Sequence, residues 1–153
     1  MSGQTQDAMH SWHRFFWMAS MVFELALATP LALITVPLLG FVGAMFYRNR
    51  SNLRDLLKRA WILCVLQFVL LLTAIGVASY GWVDWTHRPF AGPNESGLRI
   101  ENYCFAVAVI LAALAVIRAK GSRWSATSLM LLQLWLLACA NEVAGMALTG
   151  RWL

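Results

Sequence analysis

Three glutamates, Glu24, Glu101 and Glu142, stand inside or at the edge of long apolar runs, and Asn141 adjoins the last of them. An ionisable group at membrane depth costs a few kcal/mol unless it finds a partner, so such residues mark candidate sites for a proton, a cation or a polar head group. Their depth follows from the helix rise. Glu142 lies nineteen residues past Arg123, roughly 28 Å along a helix. Glu101 lies seventeen before Arg118, roughly 25 Å, and Glu24 twenty-four before Arg48, roughly 36 Å. Against a hydrocarbon core about 30 Å thick, all three fall near one boundary and none at the midplane. With Asn102, Asn141 and Asp84 they are expected to form a polar layer at the outer edge. That layer either hydrogen-bonds itself and headgroup water, or forms a site: an acidic cup for a proton or cation, or a polar mouth for a quinone or lipid head. Glu142 beside Asn141 is the leading candidate, and Glu24 the next.

Other chemistries are poorly provided for. His10 and His13 are three apart, on one face of a helix, and His87 is isolated; no histidine lies inside an apolar run. That leaves no axial ligands for a haem between helices. There is no Cys-x-x-Cys pair, and Cys64, Cys104 and Cys139 all lie in apolar runs, where they read as small apolar filler. No metal and no cofactor is expected. No nucleophile stands with a base, no glycine-rich loop could cradle phosphate, and no carboxylates pair at catalytic spacing. Asn94-Glu95-Ser96 matches the acceptor triplet for N-glycosylation. The expectation leans away from an enzyme.

The elements that must position these groups are set by composition. Of 153 residues, 60% are hydrophobic and 12% charged, and the mean hydropathy is +0.64. A soluble domain is nearer a quarter charged, so an all-α integral membrane protein is expected, in a single membrane domain over 1–153. The apolar runs predict four transmembrane helices in an up-down bundle, at about 22–47, 60–83, 102–117 and 125–148. An interfacial segment over about 10–21 precedes the first. Residues 1–14 lack the basic region of a secretory signal, so the N-terminus is expected to be kept. The first helix would be long and kinked at Pro30 and Pro37; the rival is a re-entrant hairpin broken between them. An outer loop over 84–101 carries the breakers Pro89, Gly92, Pro93 and Gly97.

Charge sets the orientation. Segments 48–59 and 118–123 hold eight Arg and Lys, against four on the other side, so they are expected in the cytoplasm. Both termini then lie outside a plasma or inner membrane. Trp12, Trp17, Trp61, Trp82, Trp85, Trp124 and Trp152 fall at the predicted interfaces, as an aromatic belt does, and only Trp135 is mid-span. The net charge of +5 comes from these flanks and not from a nucleic-acid patch. Arg48, Arg50, Arg54, Lys58 and Arg59 could contact anionic lipid. Small residues four apart let membrane helices approach closely: Gly40 and Ala44, Ala74 and Ala78, Ala140 and Ala144, and the longest such face, Ala108, Ala112, Ala115 and Ala119. Much packing surface with little chemistry points to a non-catalytic structural or accessory subunit of a larger membrane complex. Its partners would be the bilayer and other membrane subunits. The alternatives are a homo-oligomeric transporter or channel using the outer glutamates, and a small lipid- or quinone-modifying enzyme.

Overall fold

The structure, a computed structural model, describes residues 2–28, 31–48, 53–87, 93–121 and 123–150, with side chains from Trp12 in the first segment and from Trp61 in the third, Trp85 excepted. All regular structure among them is helical: α1 (Ser2–Leu27), α2 (Ala32–Arg48), α3 (Leu53–His87), α4 (Glu95–Arg118) and α5 (Arg123–Thr149). Three stretches are long and apolar enough to cross a bilayer: Trp61–Asp84 within α3, α4, and α5. A fourth is reached if α1 and α2 count as one broken span, bent by 93°. These apolar helices point to membrane association.

Local chemistry fixes where α4 starts and stops. The Asn94 side-chain oxygen accepts from the Gly97 N–H at 3.0 Å, and its amide nitrogen donates to Asp84 Oδ2 at 3.1 Å. That cap satisfies an orphan donor of the first turn, and Glu95 there complements the helix dipole. The helix therefore begins at Glu95, and Glu101, expected at the edge of a loop, lies in its second turn. At the other end the Ala119 N–H still reaches the Ala115 carbonyl at 3.0 Å. Gly121, at φ +92°, then turns the chain into α5 through a conformation that a Cβ would strain.

Helices α3, α4 and α5 pack along small-residue seams. At the end near Asn94, Leu148 of α5 fills a notch between Gly81 of α3 and Gly97 of α4. A Cβ at Gly97 would come within 2.5 Å of Leu148 Cδ2, and one at Gly81 within 2.8 Å. The Leu148 carbonyl accepts from the Asn94 N–H at 3.0 Å. Midway along, Gln67 Nε2 donates to the Ala108 carbonyl. Nearer the Gly121 turn, Leu63, Ala112, Ala115 and Met130 close a second cluster. Ala108, Ala112, Ala115 and Ala119 are all buried within the chain, as are Ala74, Ala78, Ala140 and Ala144. Gly40 and Ala44 are exposed, so that small pair meets no helix of its own chain.

The first apolar run is two helices. Met18, Val22 and Ala26 of α1 join the core built by α3 and α5, and Trp17 meets Trp82 at 5.4 Å between ring centroids. At the break, the Thr35 hydroxyl donates to the Ala26 carbonyl, one of the last carbonyls of α1, and is also 3.1 Å from the Leu31 carbonyl. The same hydroxyl oxygen accepts from the Trp135 ring N–H at 2.9 Å. The mid-span tryptophan of α5 thus ties down the junction of α1 and α2. Pro37, expected to kink the run, lies inside α2, away from the break. Pro30 lies outside the described residues.

Candidate functional site

The three glutamates separate once the helices pack. Glu101 is 4% exposed, and it shares the buried face of α4 with Gly97, Ala108 and Ala112. Neither of its carboxyl oxygens has a hydrogen-bond partner among the described residues. Glu142, one residue past Asn141, is exposed. It lines a crevice of about 350 Å³ between α5 and the α1–α2 break, with Leu25, Leu31, Trp135 and Met146. Glu24 is also exposed, adjacent in sequence to Leu25. Asn141 is half-buried and its Oδ1 has no partner. Asn102 is exposed, and Asp84 receives the Asn94 amide. The polar layer is therefore divided: Glu142 opens toward α1 and α2, while Glu101 is enclosed on the helix face that packs against α3 and α5.

Two polar residues not singled out from sequence also carry buried oxygens without a partner. Gln67 is 2% exposed, and its Oε1 lacks a partner, as does the buried Oε1 of Gln133. The available signal was that each is an amide in the middle of an apolar run. The basic groups lie elsewhere. Arg48 is exposed at the end of α2, where it lines a hollow with Phe41, Met45 and Trp124. Arg54, Lys58 and Arg59 lie on the first two turns of α3, with side chains outside the described set, and Arg50 is outside it altogether. His13 and His87 are exposed, and His87 Nδ1 is 2.8 Å from the Val83 carbonyl. Cys64, Cys104 and Cys139 are free thiols. No group of three metal-ligating side chains occurs among the described residues. Asn94, the residue of the glycosylation triplet, has its side chain engaged in capping α4.

Comparison with known families, curated proteins and solved structures finds no match to the chain, so its function has to be read from its own residues.

Proposed function

We propose that the chain is an integral membrane protein that crosses the bilayer four times and serves as a non-catalytic accessory subunit of a larger membrane complex. In this reading α1 and α2 together make the first crossing, and α3, α4 and α5 the others. Segments 48–59 and 118–123 face the cytoplasm and both termini lie outside. Contacts at opposite ends of the bundle support one broken crossing over a re-entrant hairpin. Trp17 meets Trp82 near the Gly81 end, whereas Arg48 and Met45 lie by Trp124, next to the Gly121 turn. A hairpin would return both ends to one side.

The observation that carries the accessory reading is the exposure of Glu142 on a candidate span, within an otherwise apolar crevice. Near the edge of the hydrocarbon, a carboxyl group that finds neither a partner nor headgroup water costs a few kcal/mol. A partner helix bearing a basic or hydroxyl side chain at that depth supplies the bond. The test is a photo-reactive amino acid at Ala138, which lines the crevice. A cross-link to one other membrane protein, lost in Glu142→Gln, is expected; cross-links to lipid alone contradict the reading. A homo-oligomeric transporter or channel is the second reading, favoured by the exposure of Glu24 beside the same crevice. A cross-link to a second copy, with ion-driven flux abolished in Glu142→Gln, would select it.

A further inference from the structure

The interior of α3, α4 and α5 carries a hydrogen-bond imbalance of one sign. Five buried side-chain oxygens accept nothing among the described residues: Gln67 Oε1, both oxygens of Glu101, Gln133 Oε1 and Asn141 Oδ1. No buried side-chain nitrogen among those residues is left over to serve them. Gln67 cannot reverse its amide, because its Nε2 donates to the Ala108 carbonyl, and only the nitrogen end of an amide can do that. For Gln67 and an ionised Glu101 the missing partners are donors, and no described side chain supplies them.

The four residues lie on the packed seams. Gln67 falls on the α3 stripe of Leu63, Ala74, Ala78 and Gly81; Glu101 on the α4 stripe of Gly97, Ala108 and Ala112; Gln133 and Asn141 on the α5 stripe of Met130, Leu137, Ala144 and Leu148. Two contacts set the axial register, Leu148 against Gly97 and Gln67 against Ala108. Counting residues at about 1.5 Å each, Asn141 stands roughly 4 Å, Gln67 roughly 10 Å and Gln133 roughly 16 Å from the level of Glu101, toward the Gly121 turn. Successive acceptors are thus about 4–6 Å apart in level along the bundle axis.

We propose that the seam between α3, α4 and α5 is a proton-binding site, in which a file of internal water serves Gln133, Gln67 and Asn141 and ends on Glu101, the residue that takes up the proton. A hydronium at the head of the file gives a proton to a Glu101 oxygen. One O–H bond forms as one breaks, a neutral water remains, and the acid becomes a donor itself. Water suits these residues because buried water wants a few polar partners. A resident metal cation would instead gather its oxygens, about six for a hard ion, around one point; here they are strung along the seam. On the helices packed against Glu101, α3 carries Cys64, Tyr80, Asp84 and His87 as well as Arg54, Asp55, Lys58 and Arg59 on its first two turns, and α5 carries Arg123, Cys139 and Glu142, while α4 itself carries Glu95, Arg99, Tyr103, Cys104 and Arg118. Among the described side chains the basic ones, His87, Arg99, Arg118 and Arg123, are all exposed, so none of them is a buried donor to Glu101. The inference is independent of what docks at Glu142, which opens on a different side.

The experiment is infrared spectroscopy of the full chain in lipid nanodiscs across pH, in H2O and D2O. A carboxylic-acid carbonyl band is expected that disappears in Glu101→Gln. Its shift in D2O should slow roughly tenfold in Asn141→Leu and Gln133→Leu, each of which removes one partner from the file. Should Glu101→Gln fail to fold, a hydrophobic carbodiimide applied to the wild-type chain should modify Glu101, as located by peptide mass. Absence of the band together with no modification at Glu101 overturns the proposal. So does an unchanged D2O rate in both leucine variants, and so does loss of the band when sodium or potassium is added at fixed pH, which would mean a cation site.

Discussion

Replacing Gly97 by alanine tests the notch that joins α3, α4 and α5. The new Cβ would lie 2.5 Å from Leu148 Cδ2, 3.0 Å from Cδ1 and 3.3 Å from Cγ, against a comfortable carbon–carbon contact of about 3.5–4.0 Å. Leu148 is 3% exposed and has no room to swing outward. Overpacking of this kind costs about 1–3 kcal/mol. Alanine recovers about 0.5–1 kcal/mol of backbone entropy in a helix interior, and less at Gly97, three residues past the cap. The expected net loss is about 1–2 kcal/mol. Leu148→Ala alone opens a cavity and costs about 2–5 kcal/mol. In the double variant the added methyl enters the vacated space, so the two changes should couple favourably by about 1–3 kcal/mol. Gly81→Ala behaves differently, because its Cβ also meets the Leu148 backbone nitrogen at 3.2 Å, and truncating the leucine side chain leaves that contact in place. Equilibrium unfolding in mixed micelles reads all five proteins. Strictly additive effects of Gly97→Ala and Leu148→Ala would refute the notch.

Thr35→Val removes the hydroxyl that serves both the Ala26 carbonyl and the Trp135 ring N–H, and should destabilise by about 1–3 kcal/mol for the polar groups left unpaired. Trp135→Phe should cost less, and adding it to Thr35→Val should cost little more, as a double-mutant melt would show. Asn94→Ala loses the cap of α4 and should cost about 1 kcal/mol; Asn94→Asp keeps the cap but exchanges the amide donor to Asp84 for a second carboxylate, so it should also destabilise in the same unfolding assay. Gly121→Ala must hold a Cβ at φ +92° and should cost about 1–2 kcal/mol in the same unfolding assay. For topology, cysteines placed at 52 or 121 should be shielded from an impermeant thiol reagent in intact cells, and those at 5 or 92 should react. Labelling at 52 with silence at 92 would invert the orientation, and labelling at 92 alone would favour the hairpin.

The runs that became α3, α4 and α5 were legible because apolar length is a property of composition alone. The start of α4 was not. Asn94-Glu95-Ser96-Gly97 reads as loop by residue type, and only the cap, with its bonds to Asp84 and Leu148, shows a helix starting there. The break between α1 and α2 was hidden because residues 25–48 carry no charge before Arg48, and the prolines suggested two places to bend. Depth along a helix could be counted from sequence, which placed Glu24, Glu101 and Glu142 near one boundary. Helix phase could not, since which face meets a neighbour is decided by packing such as Leu148 against Gly81 and Gly97. Sequence reasoning therefore ranked Glu142 first and passed over Gln67 and Gln133, while burial singles out Glu101 and those two amides.

Whether this chain works as a subunit of a larger assembly is decided by native mass spectrometry after extraction in mild detergent from the membranes that normally contain it. The expected result is a stoichiometric complex with other chains that weakens in Glu142→Gln. A monodisperse species made of this chain alone, unchanged by that substitution, would contradict it.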